Sequence, residues 1–172
     1  MDWTRIILDG LMMTAYFNLF AAVVVLYNPR LMFPCYPPAI VEDATEPPTK
    51  AEKHFYRRWI VLGIWIPLIF YSSISTVLGG MKGFWNLALA GYVQWMMINL
   101  GDLIFLDMWL FQKKGKKRFI IPGTEGHSGY QWNNWMKQYA LPEHLLQWPL
   151  LICPLMAAAQ AGLGVLITSL FY

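Results

Sequence analysis

Charge is what this chain has least of. Asp, Glu, Lys and Arg make up 13% of its 172 residues, about half the ~25% typical of a soluble domain. Cysteine is equally scarce. Cys35 and Cys153 stand apart, with no CxxC partner and no metal-ligand spacing, which excludes a disulfide framework and a thiolate zinc site. Only three histidines are present, and the net charge of +3 is too small to imply a nucleic-acid partner. No Gly-rich phosphate loop or other cofactor motif occurs, so no cofactor is expected. Low-complexity and strongly acidic tracts are missing too, which excludes a disordered chain.

What is there is apolar and aromatic: 57% hydrophobic residues, with 9 Trp, 9 Tyr and 10 Phe, and a positive mean hydropathy of +0.39. A bilayer core requires about 20 largely apolar residues in helical form. Four stretches satisfy that length: 6–27, 59–81, 83–111 and 145–172. The first carries only Asp9, the third only Asp102 and Asp107, and the second and fourth have no Asp, Glu or Arg. Asp2 and Asp9 in and beside the first stretch are foreign to a cleavable secretory signal, so it reads as a retained span. The expected fold is all-α: a single polytopic membrane domain of four transmembrane helices in a bundle, joined by two long loops, 28–58 and 112–144.

Of the 13 Lys and Arg, all but Arg5 and Lys82 fall in those two loops. Positive residues in short loops stay cytoplasmic, so the loops are expected inside and both termini outside. The run Lys113, Lys114, Lys116, Lys117 and Arg118 also suits anionic lipid headgroups, at about 1 kcal/mol per residue. Most such runs do no more than fix topology.

Intramembrane polar residues are expensive and normally face the bundle interior. On an α-helix, Gly91, Trp95, Ile98, Asn99 and Asp102 share one face, whereas Asp107 is rotated about 140° from Asp102. Asp102 is therefore the candidate proton- or ion-linked carboxylate, but at 1.5 Å per residue the third span overshoots a ~30 Å core, so headgroup water is the expected surroundings of both Asp102 and Asp107. Asn18 lies on a stripe with Thr14, Ala21 and Val25, and the fourth span has Ala157, Ala158, Ala161 and Gly162 at helical spacing; close helix packing is the expected role of both. Pro149 and Pro154 are expected to kink the fourth span.

The second loop is unlike a tether. Pro122-Gly123-Thr124-Glu125-Gly126 is a turn sequence, and Trp132, Trp135 and Tyr139 follow on one helical stripe before a turn at Pro142. An ordered cap is expected, with Glu125 directed at the bundle. Gly126-His127-Ser128-Gly129 lacks both the strand and the final glycine of a nucleophile elbow. His54, His127, Glu143 and His144 all fall at the loop end and are weak candidates for a divalent metal, at spacings that match no known signature.

Asn28-Pro29-Arg30-Leu31-Met32, Tyr36-Pro37, Asn99-Leu100-Gly101-Asp102-Leu103 and Pro122-Gly123-Thr124-Glu125-Gly126 together resemble a family of bacterial four-helix inner-membrane proteins with no assigned activity. The resemblance implies the topology and a bacterial inner membrane. It implies no mechanism.

Three functions are compatible with this reading. The first is a non-catalytic binding, transport-accessory or assembly protein, self-associating as a homo-oligomer. The second is a membrane-embedded enzyme acting on a lipid-like or isoprenoid substrate at the cytoplasmic interface, with Asp102, Glu125 and His127 as acid/base candidates. The third is a proton-linked small-solute carrier using Asp102, working as a dimer.

Overall fold

The computed structural model describes residues 2–114 and 117–171, without the side chains of Lys113 and Lys114. Four helices are long and apolar enough to cross a membrane: α1 (Trp3–Tyr27), α2 (Lys50–Leu78), α3 (Phe84–Gln112) and α4 (Trp132–Phe171). No strand occurs among the described residues. The expected four-helix bundle is the observed architecture.

Local chemistry sets the helix ends. Asp2 caps α1 by accepting from the Arg5 N–H at 3.1 Å. Thr49 and Glu52 form a capping box at the start of α2, satisfying two otherwise orphaned backbone donors. Between α2 and α3, Gly80 and Gly83 adopt φ of 79° and 83°, a region open to glycine and strained for other residues.

Two helices start earlier than hydropathy alone indicates. The second begins at Lys50 rather than 59, and the fourth at Trp132 rather than 145, because polar first turns extend each helix beyond its apolar stretch. Pro142 does not make the expected turn; it has helical φ and ψ of −58° and −41°, and α4 runs through it. At 1.5 Å per residue, α4 is about 60 Å long, twice a ~30 Å hydrocarbon core, so its first turns belong to the cap.

The start of α1, the end of α2, the start of α3 and the end of α4 meet at one end of the bundle. Arg5 Nε donates to Ser75 Oγ at 3.3 Å there, and Gly164 lies against Leu87 and Val77. Both long connections therefore sit at the opposite end. They pack on each other: Tyr36 donates to the Phe119 carbonyl at 2.8 Å, Tyr139 donates to the Cys35 carbonyl, and Ile40, Phe119 and Ile121 are buried. Arg30 adds a bidentate ion pair with Glu52, at 2.7 and 3.2 Å.

Close helix packing runs through small residues, on a face shifted from the expected one. In α4 the buried set is Cys153, Ala157, Gln160, Ala161 and Gly164, with Ala158 and Gly162 exposed. A Cβ on Gly91 would stand 3.1 Å from the Ala157 Cα, which measures how closely α3 and α4 approach. In α1 the stripe Thr14, Asn18, Ala21 and Val25 is buried throughout.

Candidate functional site

Where the cap meets the bundle, a cleft of about 310 Å³ opens between α1, α2, α3, α4 and the first connection. Its walls come from wide helical turns. The stretches Tyr56–Trp65, Asp102–Lys114 and Glu143–Ile152 are π-type, with hydrogen bonds such as Ile66 N–H to the Val61 carbonyl and Cys153 N–H to the Trp148 carbonyl. Pro149 lies inside the last of them, where its missing N–H makes the regular i→i−4 ladder impossible. Bonding five residues apart stacks residues five apart on one face. The cleft lining shows that spacing as Ile60 and Trp65, Asp102 and Asp107, Leu106 and Phe111, Glu143 and Trp148, and Gln147 and Ile152.

This geometry corrects the expectation for Asp107. Instead of reaching headgroup water it is buried, 5% exposed, because the wide turns after Asp102 reduce the 140° rotation that a regular helix would impose. Asp107 Oδ1 accepts from Trp135 Nε1 at 2.8 Å, and Oδ2 lies 2.9 Å from His144 Nε2. The other ring nitrogen of His144, Nδ1, is 2.7 Å from Asn99 Oδ1. Asn99 Nδ2 donates to the His144 carbonyl at 2.9 Å, and that bond fixes which end of the amide is oxygen.

The proton inventory follows. Asn99 Oδ1 has no proton to give, so His144 Nδ1 is the donor. Trp135 only donates, so Asp107 Oδ1 only accepts. One proton is left to lie between His144 Nε2 and Asp107 Oδ2, on either atom. His144 and Asp107 form a proton-sharing pair, held by Asn99 on one side and Trp135 on the other.

Asp102 and Glu143 share the cleft with this pair. Trp148 Nε1 donates to Glu143 Oε1 at 3.3 Å. Among the described residues no Lys or Arg lines the cleft. The remaining wall is aromatic. Trp65 stacks on Trp148 at 6.2 Å and on Trp95 at 5.5 Å, Trp148 stacks on His144, and Phe17 meets Trp148 edge-on. Tyr36, Tyr56 and Tyr139 complete it. In the first connection, burial pushes the Cys35 thiol up to about 12, and its Sγ lies 3.4 Å from the Tyr56 hydroxyl. Burial also drives the Tyr36 hydroxyl well above the usual phenol range.

The other candidates lie elsewhere. Glu125 is exposed and accepts from the Gly123 N–H in its own turn at 2.9 Å, so it does not face the bundle. Gly123 and Gly126 have φ of 88° and 84°, which closes the turn locally and leaves the Glu125 side chain outside. His127 accepts from the Gly129 N–H and pairs with the exposed Asp43 at 3.2 Å. His54 is exposed on the first turns of α2. Among the described residues no cluster of three His, Cys, Asp or Glu is placed to hold a metal, and both nitrogens of His144 are already engaged. Of the basic run, Lys117 and Arg118 are exposed; Lys116 and the side chains of Lys113 and Lys114 lie outside the described residues. Asn18 donates to the Thr14 carbonyl at 2.8 Å within α1, and its Oδ1 has no partner.

Two further polar groups carried no spacing signal in the sequence. Asp9 is buried and accepts from Tyr71 at 2.9 Å and Ser75 at 2.7 Å. Deeper in the bundle, Ser72, Gln94 and Gln160 are fully buried together, with both Ser72 Oγ and Gln160 Nε2 donating to Gln94 Oε1.

Comparison with protein-family models, with curated proteins and with solved structures finds no match for this chain.

Proposed function

We propose that this chain is a membrane-embedded binding protein whose cleft receives a small organic cation. The observation that carries the reading is the lining: the carboxylates of Asp102 and Glu143 beside the paired Asp107 and His144, stacked indoles, and no Lys or Arg among the described residues. An isolated carboxylate in low-dielectric surroundings is costly, and a cation seated beside Asp102 and Glu143 removes that cost. Aromatic faces add to the attraction for a cation that sheds water easily, worth about 2 kcal/mol when desolvated. Stacked ring faces suit a quaternary or tertiary ammonium better than a compact, strongly hydrated metal ion.

The His144–Asp107 pair gives the cleft an internal proton store beside the bound charge. That arrangement favours a second reading, a proton-linked carrier: Asp102 lines the cleft together with Asp107, Glu143 and His144, the grouping of ionisable side chains that such a carrier uses. The enzyme reading loses Glu125 and His127, which lie outside the cleft. The basic residues of both loops support a cytoplasmic placement of the cleft, with the termini external. Lys117 and Arg118 remain available to anionic headgroups, and a homo-oligomer is compatible with the long apolar helix faces.

Calorimetric titration of the protein in lipid nanodiscs with tetramethylammonium chloride tests the binding reading. Saturable binding that Asp102→Asn abolishes is the expected result; absence of binding, or equal binding by Asp102→Asn, contradicts it. Counterflow of a labelled ammonium in proteoliposomes under a pH gradient separates carrier from binding protein.

A further inference from the structure

On the outer side of α4 the cleft is separated from a second groove by only three side chains. Tyr139, Glu143 and Gln147 line the cleft on one side and on the other line this shallower groove running along the outside of α4. The floor of that groove is Leu146, Leu150 and Leu151, exposed by 59%, 69% and 66%. Pro38 from the first connection and Pro142 form its upper rim. The groove and the acidic cleft thus lie on the two faces of one thin wall of side chains, and Glu143 stands in that wall.

A purely aqueous ligand has no use for an apolar groove set against the cleft wall. An apolar floor leading to a carboxylate matches a molecule with an apolar chain and a cationic head. The charges decide between amphiphiles. Glu143 in the shared wall and Asp102 in the cleft stand without a Lys or Arg among the described lining residues, while Asp107 is balanced by the proton it shares with His144. A cationic head is therefore favoured over a phosphate-bearing one. The wide turns from Glu143 to Ile152 put Glu143 and Trp148 on the cleft side, while Leu146, Leu150 and Leu151 stay on the lipid side.

We infer that the ligand of the cleft is a single-chain amphiphile with an amine or quaternary-ammonium head, which enters sideways from the bilayer. Its head passes Glu143 into the cleft while its chain lies along Leu146, Leu150 and Leu151. This rests on the cation-binding reading above and adds the chain and the route. Because lipid tails are as apolar as leucine, the chain contributes mainly by concentrating the ligand in the bilayer and orienting its head, rather than by new apolar burial.

The test uses the full chain in lipid nanodiscs and an alkyl trimethylammonium probe carrying a diazirine at the end of a dodecyl chain. After irradiation, adducts are mapped by mass spectrometry. The expected result is several-fold more adduct on residues 146–151 than on the comparably lipid-exposed Leu166 and Leu170, suppressed by excess tetramethylammonium and by Leu150→Trp, which fills the groove. Adducts spread evenly over the lipid-facing surface and indifferent to tetramethylammonium overturn the inference, and identify the groove as an ordinary lipid contact. If tetramethylammonium still binds by calorimetry in that case, the cation-binding reading stands without the side entrance. If tetramethylammonium does not bind at all, both fall.

Discussion

His144 Nε2 and Asp107 Oδ2 face each other at 2.9 Å across the boundary between α4 and α3, each fixed on its far side by a group whose role is not interchangeable. Asn99 compels His144 Nδ1 to donate, and Trp135 compels Asp107 Oδ1 to accept. The pair is buried, with side-chain exposures of 1% and 7%. It both locks the cap to the bundle and forms one wall of the cleft.

That arrangement makes two substitutions of Asp107 behave differently. Asp107→Leu strands His144 Nε2 and the Trp135 N–H in a buried site, and is expected to cost about 3 kcal/mol. Asp107→Asn keeps both bonds, because the amide oxygen still accepts from Trp135 and the amide nitrogen donates to a neutral His144. Its cost is expected to stay below about 1 kcal/mol. Unfolding in mixed micelles by titration with a denaturing detergent measures both.

The approach of α3 to α4 at Gly91 gives a second contrast. A Cβ there meets Gln160 at 3.0 Å and the Ala157 backbone at 3.1 Å, so Gly91→Ala forces the helices apart and is expected to cost about 1–3 kcal/mol. Gly162, two turns along α4 from Cys153, has open space around it. Gly162→Ala should be neutral or stabilising by up to about 1 kcal/mol, since alanine loses less entropy in a helix. The same detergent titration reads both.

Four helices and the inward faces of Asn18 and Asn99 were legible in the sequence because apolar length and α-helical spacing are strong signals. The polar first turns of α2 and α4 carry no such signal, and span length set Asp102 at headgroup water, whereas it lines the cleft. Asp107 was not legible either, since nothing in its neighbourhood marks the shift from 3.6 residues per turn to wider turns, and a regular helix sends it elsewhere. Pro149 and Pro154 signalled irregular backbone in α4 but not its form. Pro142, an apparent helix start, lies inside a helix because the wide turns around it tolerate its missing donor. Glu125 misled because a turn-forming pattern specifies the path of the backbone and leaves open where the side chain goes; here it folds back on Gly123. The His144–Asp107 pairing joins residues 37 apart, and no local pattern encodes it.

Burial of Cys35 predicts its reactivity. With the thiol pushed up to about 12, against about 8.5 for a free cysteine, almost none is thiolate at pH 8. Alkylation by a water-soluble maleimide at pH 8 should be slower by more than about tenfold in the folded protein than after denaturation. The sign for stability follows: folding favours the protonated thiol, so this contribution is intact below about 8.5 and is lost as pH rises above it. Equal labelling rates would show an open first connection.

The cap is expected to resist hydrogen exchange. The amides of Thr124, His127, Tyr130, Gln131 and Trp135 donate to the backbone carbonyls of Ile121, Thr124, His127, Ser128 and Gln131 at 2.9–3.2 Å. Their exchange should be slowed well beyond the free-peptide rate, and Glu125→Ala should change this little outside residues 122–126, because Glu125 is bonded only within its own turn. Uniformly fast exchange from 122 to 139 would reduce the cap to a tether.

The central claim is that a cation sits in the cleft against the indoles of Trp65 and Trp148. Magic-angle-spinning NMR of the protein in lipid, with ¹³C-methyl tetramethylammonium and isotope-labelled tryptophan, tests it most directly. Transferred contacts from the methyl carbons to the half-buried Trp65 and the buried Trp148, lost in the Asp102→Asn, Glu143→Gln double variant, are the predicted result. Contacts confined to Trp85, which is 81% exposed at the opposite end of the bundle, or contacts unchanged in the double variant, would contradict it.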